Sequence, residues 1–297
     1  MSEQHTIVIT GGTGGIGLHS ALGLAKGGAH IVVVGRSQTR GEEAVRRIKL
    51  ETNNHDIDFV RGDLASIAGI DQLAHSLRRL TPKIDVLVNN AGYLGADFRQ
   101  SPDGLEMHFA VNVLGPWRLT AAVLPQMQAA GQARVVNVSG GDKPARIDAE
   151  NLQAEKGFRG LMTYTHSKSV MEAMSIIQAG RYEGHGVSVN IVFPGRASTA
   201  MTQSLSPQAL PGPMKIMYPL FRFLFREDGG KSAAKAAQST IWSATTSELQ
   251  DRTGAYFDSN CVERKLHPSA YDPEVHQRIL SVLDSVAAPS PGDDGSP

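Results

Sequence analysis

A chain of 297 residues with 29 Lys and Arg against 29 Asp and Glu has no net charge to draw it to nucleic acid or to an anionic membrane. Its one cysteine, Cys261, rules out an intramolecular disulfide and any cluster of cysteine metal ligands, which suits a reducing compartment. The N-terminus "MSEQHTIVIT" has no basic stretch ahead of an apolar run, and no window reaches the ~18 consecutive apolar residues of a spanning helix, so a soluble, cytoplasmic protein is expected.

In chain order, short β-branched runs alternate with helical stretches. "TIVIT" (6–10), "IVVVG" (31–35), "IDFVRG" (57–62), "IDVLVNN" (84–90), "RVVNVSG" (134–140) and "VSVNIVFPG" (187–195) read as strands. Runs that are apolar on both faces are the mark of parallel strands covered by helices on each side. Between them lie "GLHSALGLAKGG", "RGEEAVRRIKLE", "SIAGIDQLAHSLRRL", residues 117–130 and "YTHSKSVMEAMSIIQAGRYEGHG". This alternation predicts one doubly wound, mostly parallel α/β sheet in a single domain over 1–285. The Pro-, Gly- and Asp-rich end, 286–297, is expected to be a disordered tail.

"TGGTGGIG" (10–17) joins the first strand to the first helix, the context a dinucleotide fingerprint requires. Bare glycine backbone lets a pyrophosphate approach the free N–H groups of a helix N-terminus. Three registers fit: Gly12, Gly14 and Gly17; Gly11, Gly14 and Gly17; or Gly11, Gly15 and Gly17. NAD-binding folds ordinarily hold the ribose 2′-hydroxyl with an acid at the end of the second strand. Here that place is Gly35, followed by Arg36, whose forked donors suit a 2′-phosphate, with Ser37 and Arg40 as weaker helpers. NADP(H) is therefore expected, NAD(H) being the alternative. Asp63, after the third strand, would either accept from the adenine amino group or serve as plain turn chemistry.

"YTHSK" puts Tyr164 and Lys168 four residues apart on one helix face. A free phenol, with a pKa near ~10, is a poor acid–base at neutral pH, and a nearby ammonium with a positive nicotinamide would lower that value. Ser139 ends the fifth strand, at the sheet edge where open α/β folds place ligands.

With these motifs in order, namely "TGGTGGIG", "GDL" (62–64), "NNAG" (89–92), "VNVLG" (111–115), Ser139, "YTHSK" and "PGRAST" (194–199), the chain resembles a short-chain dehydrogenase/reductase of the classical type over about 5–285. It is most similar to the retinol-dehydrogenase-like branch, through "VNVLGPWRLT", "IDAENLQAEKGFRG" and "TGAYFDSNCVERKLHPSA". The resemblance implies a Rossmann fold of strand order 3-2-1-4-5-6-7 and the glycine register Gly11, Gly15 and Gly17, with Thr10 bracing the turn. It implies Tyr164 as general acid/base, Ser139 as hydrogen-bond donor to the reacting oxygen, Lys168 as the cation that lowers the Tyr164 pKa and holds the ribose, and Asn112 as anchor of a water relay. The cofactor would meet Gly11, Thr13, Gly14, Gly15, Ile16, Gly17, Arg36, Asp63, Leu64, Asn90, Ala91, Gly92, Tyr164, Lys168, Pro194, Gly195 and Thr199.

The expected activity is NADP(H)-dependent interconversion of a ketone or aldehyde and an alcohol. The rivals are NAD-dependent oxidation at the same site and a catalytically silent dinucleotide sensor. The segment "SPQALPGPMKIMYPLFRFLFRED", within a lid expected over about 200–228, is rich in Met, Leu, Phe and Tyr and suits a lipophilic substrate. Packing on the core or a second subunit, or contact with a membrane, are its alternatives. Gly140, Gly141 and Asp142, after Ser139, stand where the substrate should lie. Homo-oligomers are common in the family. The ten histidines show no metal-ligand spacing, so no metal is expected; His108 is read as a helix-surface or cleft-edge residue, and His166 as facing away from the Tyr164 and Lys168 face.

Overall fold

The computed structural model describes residues 4–140, 145–210, 216, 218–224 and 226–287. From the N-terminus come β1 (Thr6–Thr10), α1 (Gly15–Ala25), β2 (His30–Gly35), α2 (Gln38–Thr52), β3 (Ile57–Arg61), α3 (Ile67–Leu80), β4 (Val86–Asn89) and α4 (Met107–Phe109). A π-helical turn, Ala110–Leu114, leads into α5 (Gly115–Gln128), then β5 (Ala133–Val138), α6 (Gly160–Tyr182), β6 (Val187–Val192), α7 (Ala200–Gln203), α8 (Tyr218–Leu224) and α9 (Lys231–Thr245). The chain continues through β7 (Tyr256–Phe257) and β8 (Glu263–Arg264) to α10 (Pro273–Ala287).

The strands form one sheet in the order β3-β2-β1-β4-β5-β6-β7-β8. The expected seven-strand order is present and extended by β8, which pairs antiparallel with β7. The tight turn between them explains this, since a parallel partner would need a long crossover; Asp258 closes the turn by accepting from the N–H groups of Asn260 and Val262 at 2.9 and 3.0 Å.

Strand side chains alternate between two covered faces. Ile7, Ile9, Ile31, Val33, Val86 and Val88 pack toward α1, α2 and α9, whereas Val8, Val32, Val34 and Leu87 pack toward α3 and α5. Burying each such side chain stabilises the fold by ~1.5–3 kcal/mol, which is why sequences apolar on both faces became parallel strands. Ser37 and Ser66 start α2 and α3, accepting from the N–H groups of Arg40 and Gly69. The loop 145–159 is tied to α6 and the C-terminal region: Ala145 N–H donates to Ser169 and Ile147 N–H to Ser269, and Arg278 on α10 grips Glu150.

The strand order and the C-terminal positions of the turns gather the fingerprint loop, the ends of β4 and β5, and the middle of α6 at one edge of the sheet. Among the described residues no helix is long and apolar enough to cross a membrane. Ile216, Leu220 and Phe223 in the expected lid are exposed. Residues 211–215, 217 and 225 of that segment, Gly141 and Asp142, and 288–297 of the expected tail lie outside the described residues, whereas residues 286 and 287, expected in the tail, continue α10.

Candidate active site

The glycine loop shows which register its backbone needs. Gly11 and Gly15 have φ of +68° and +52°, in the left-handed region that L side chains avoid. A side chain at Gly17 would run into the Gly11 carbonyl and the Asn90 amide, whereas at Gly14, whose backbone is extended, only the flexible tip of Arg40 would be met. Of the three sequence registers, Gly11, Gly15 and Gly17 is therefore the one in which every glycine is required. Thr10 braces the turn: its hydroxyl accepts from the N–H groups of Asn90 and Ala91, both at 3.1 Å, and Asn90 returns its amide to the Thr10 carbonyl at 3.0 Å.

α1 begins at this loop with no capping side chain and no acid in its first turn. Its free N–H groups and dipole thus remain available to an anion. Thr13 lies against Gly35, so closely that a side chain at position 35 would collide with it. The acid that would hold a ribose diol is missing, its place being Gly35. Arg36, Arg61, Gly62 and Asp63 line a pocket of about 290 Å³ at the ends of β2 and β3, and the Arg40 guanidinium lies over Gly14. Asp63 also makes the plain turn contact, accepting from Ala65 N–H at 3.0 Å. The Leu64 side chain is buried in the core between α3 and α5 rather than in the pocket lining. Ile16 packs on Ala197, Ala233 and Ala236.

After β6, Pro194 is buried and Gly195 turns with φ of +85°. Thr199 stands over Gly15 with its methyl group, and its hydroxyl caps α7 by accepting from Thr202 N–H at 3.3 Å. The start of the segment expected as a lid therefore lies against the fingerprint loop. These residues could hold a dinucleotide phosphate, and the cations beside them suit one with an added 2′-phosphate.

At the end of β5 the expected arrangement is corrected. The Ser139 hydroxyl does not face Tyr164; it donates to Glu172 Oε1 at 2.5 Å, in a buried site. The residue beneath the Tyr164 hydroxyl is Gly140, where any side chain would strike that oxygen. β5 stops at Val138, and successive side chains point to opposite sides of an extended chain, so residues 139 and 140 cannot both face the phenol.

Tyr164 and Lys168 do meet at one edge, one turn apart on α6. Lys168 is buried, and its ammonium donates to the Val138 carbonyl at 2.9 Å. Burial pushes its pKa down to about 8, against the opposing charge of Glu172. The Tyr164 phenol is pushed up to about 12 by desolvation, opposite to the expected lowering, because the low-polarity surroundings penalise the phenolate. Burial likewise pushes Glu172 up to about 7, opposed by the Ser139 hydrogen bond and by Lys168.

Asn112 sits in the π-helical turn, its Oδ1 accepting from Tyr93 N–H at 2.8 Å and its amide donating to the Tyr93 carbonyl and Ser167. Pro116, four residues on, has no N–H to offer the Asn112 carbonyl, and π turns are frequent at functional sites. A methyl group at Gly92 would come into van der Waals contact with the Asn112 Oδ1 and the Lys168 ammonium.

One residue is placed otherwise than the sequence reading had it, and one escaped that reading. His108 is fully buried rather than at an edge: its Nδ1 is paired with Glu106 at 2.7 Å, and its Nε2 accepts from Gly95 N–H at 3.1 Å. Its ring lies 5.0 Å from Tyr93, 5.7 Å from Phe158 and 6.5 Å from Tyr164, making an aromatic wall beside the phenol. The other is Glu172. The spacing Tyr164, Lys168, Glu172 was a readable signal for it, with each residue one turn beyond the last. His166 faces away, as expected, accepting from Asp148 N–H at 3.0 Å.

A doubly wound sheet with this glycine loop and a Tyr–Lys pair defines a dinucleotide-binding oxidoreductase of the short-chain class. The comparison with known proteins agrees. The model of the short chain dehydrogenase family matches residues 5–210. Retinol dehydrogenase 13 of Mus musculus is 33% identical over 278 residues, covering 92% of this chain and 81% of that protein. Polyprenol dehydrogenase of Homo sapiens is 29% identical over 281 residues, covering 92% and 82%. Among solved structures, an uncharacterised protein from Mycobacterium paratuberculosis shares the fold, with a TM-score of 0.72 at 22% identity over 95% of this chain and 93% of that one. The NADP complex of RhlG from Pseudomonas aeruginosa has a TM-score of 0.61 at 27% identity over 86% and 94%. The chain belongs to the short-chain dehydrogenase family, on its retinol-dehydrogenase-like branch.

Proposed function

We propose that this protein is an NADP(H)-dependent carbonyl reductase acting on a lipophilic ketone or aldehyde, with Tyr164 as the proton donor. The observation that carries this reading is the Tyr164 hydroxyl, perched over the bare Gly140 and one helical turn from a buried Lys168, at the same sheet edge as the fingerprint loop. The cofactor assignment rests on Gly35, on the cations Arg36, Arg40 and Arg61, and on relatives of similar fold solved with NADP. Relatives named for retinol and polyprenol, both lipophilic alcohols, support the substrate class, as does the aromatic wall of Tyr93, His108 and Phe158.

The fingerprint glycines Gly11, Gly15 and Gly17 with Arg36 would hold NADPH, which would supply a hydride for the carbonyl carbon. Tyr164 gives its phenolic proton to the carbonyl oxygen, which becomes the hydroxyl of the alcohol product. A phenol pushed up to about 12 stays protonated at neutral pH and is suited to neutralise a nascent alkoxide. Lys168 sits within the same buried patch and stabilises the negative charge left on Tyr164 until a proton returns. Asn112 and Ser167 hold the Tyr93 loop against α6, so that the pocket wall stays fixed during turnover.

The test is turnover of NADPH by the purified protein against a panel of lipophilic ketones and aldehydes. Tyr164→Phe should lose ~10²–10⁴-fold; undiminished turnover in that variant removes Tyr164 from the mechanism. Because Gly140 offers no hydroxyl to the reacting oxygen, a second reading stands beside the first, a dinucleotide-binding protein without turnover. Tight NADPH binding with no reduction of any carbonyl in the panel would decide for it.

A further inference from the structure

Three consecutive residues at the end of β5 meet three side chains spaced one turn apart on α6. The Val138 carbonyl accepts from the Lys168 ammonium, the Ser139 hydroxyl donates to Glu172, and Gly140 lies against the Tyr164 hydroxyl. Helical spacing alone aligns residues 164, 168 and 172 on one face. Glu172 is 3% exposed and Lys168 4%. Only one of the three contacts bears a carboxyl group, and that group needs explaining. An amide in its place would hold Ser139 equally well, and an apolar side chain would avoid the cost of burying an acid.

We propose that Glu172 is a positioning residue that keeps the buried Lys168 charged and fastens the end of β5 beneath Tyr164. Its importance for catalysis rests on the reading of Tyr164 and Lys168 given above; its effect on Lys168 does not. The groups that face it are Lys168 on its own helix, Ser139 at the end of β5, and Tyr256 on β7, whose phenol the Glu172 charge helps to push up. Lys168 alone among them is a cation. Burial strips the ammonium of water and drives its proton off, and the negative charge of Glu172 one turn away works against that loss. The Ser139 hydrogen bond in turn favours the ionised form of Glu172. Ser139, expected to touch the reacting oxygen, thus acts two steps back, through Glu172 and then Lys168.

The test reads the protonation of Lys168 directly and needs no turnover. Protein labelled with ¹³C at lysine Cε is titrated by NMR, with Lys168→Arg to assign the resonance. The wild type should titrate near the value of about 8 set by its burial. In Glu172→Gln, which keeps an acceptor for Ser139 and removes the charge, the midpoint should fall by ~1 pH unit. A folded Glu172→Gln protein with an unchanged midpoint overturns the proposal. Should that variant not fold, Ser139→Ala gives the second reading: loss of the hydrogen bond leaves Glu172 less ionised, and the Lys168 midpoint must fall in the same direction by a smaller amount. An unmoved or rising midpoint there overturns it as well. A carbonyl reductase with a shifted midpoint supports both readings, a shifted midpoint without turnover supports this one alone, and turnover with an unshifted midpoint supports only the other.

Discussion

Replacing Ser139 with alanine separates two roles that differ in size and in kind. Were its hydroxyl a donor to the reacting oxygen, its loss would cost ~2.7–4 kcal/mol in the transition state, or ~10²–10³ in kcat. The structure instead puts that hydroxyl on a buried carboxyl at 2.5 Å. Removing it leaves Glu172 without its donor, a penalty of ~1–3 kcal/mol that falls on folding stability rather than on the transition state. The expected outcome is a kcat reduced by less than ~10-fold together with a melting temperature lowered by a few degrees. Steady-state NADPH oxidation with one ketone from the panel gives the first quantity and thermal unfolding the second. A Ser139→Ala protein of unchanged stability that has lost ~100-fold or more in kcat would refute the placement of this side chain.

Two further outcomes follow from the same coordinates. Arg36→Asp should weaken NADPH by ~10–100-fold relative to NADH, since it removes charge-assisted bonds to a 2′-phosphate and introduces a repulsion; an unchanged ratio of dissociation constants takes Arg36 out of the account. The pH dependence of stability checks Glu172: its folded-state pKa is raised from 4.5 to about 7, so the folded protein holds that proton more tightly than the unfolded chain does. The wild type must then lose stability as pH rises from about 4.5 to about 7, and Glu172→Gln, which has no such proton, must gain on it across that window by up to ~3 kcal/mol. Denaturant melts at the two ends of the window that show a constant difference between the proteins would contradict the burial of this acid.

Much of the architecture is legible from pattern alone. Runs such as "IVVVG" leave no polar face, so they had to lie between two layers of helices, and the helical runs between successive strands made the connections parallel crossovers. The spacing of Tyr164 and Lys168 placed both on one side of α6 wherever that helix docked. The glycine register was open between three choices in the pattern. It was closed by backbone angles at Gly11 and Gly15 and by the approach of the Gly11 carbonyl to Gly17, contacts made between turns of the folded loop.

Tertiary structure alone decided which of Ser139 and Gly140 lies under the phenol. A strand reverses the direction of its side chains at every residue, so the answer depends on the docking of β5 against α6 to within one position, and local sequence does not encode that register. The same docking buried Glu172 beside Lys168 and enclosed His108 with Glu106. An ionisable residue on a helix reads as solvated until its neighbours across space are known, because its burial is a property of the surface that covers it. The residues of the chemistry were therefore written in the chain, while their facing, their exposure and the direction of their proton equilibria were set by the fold.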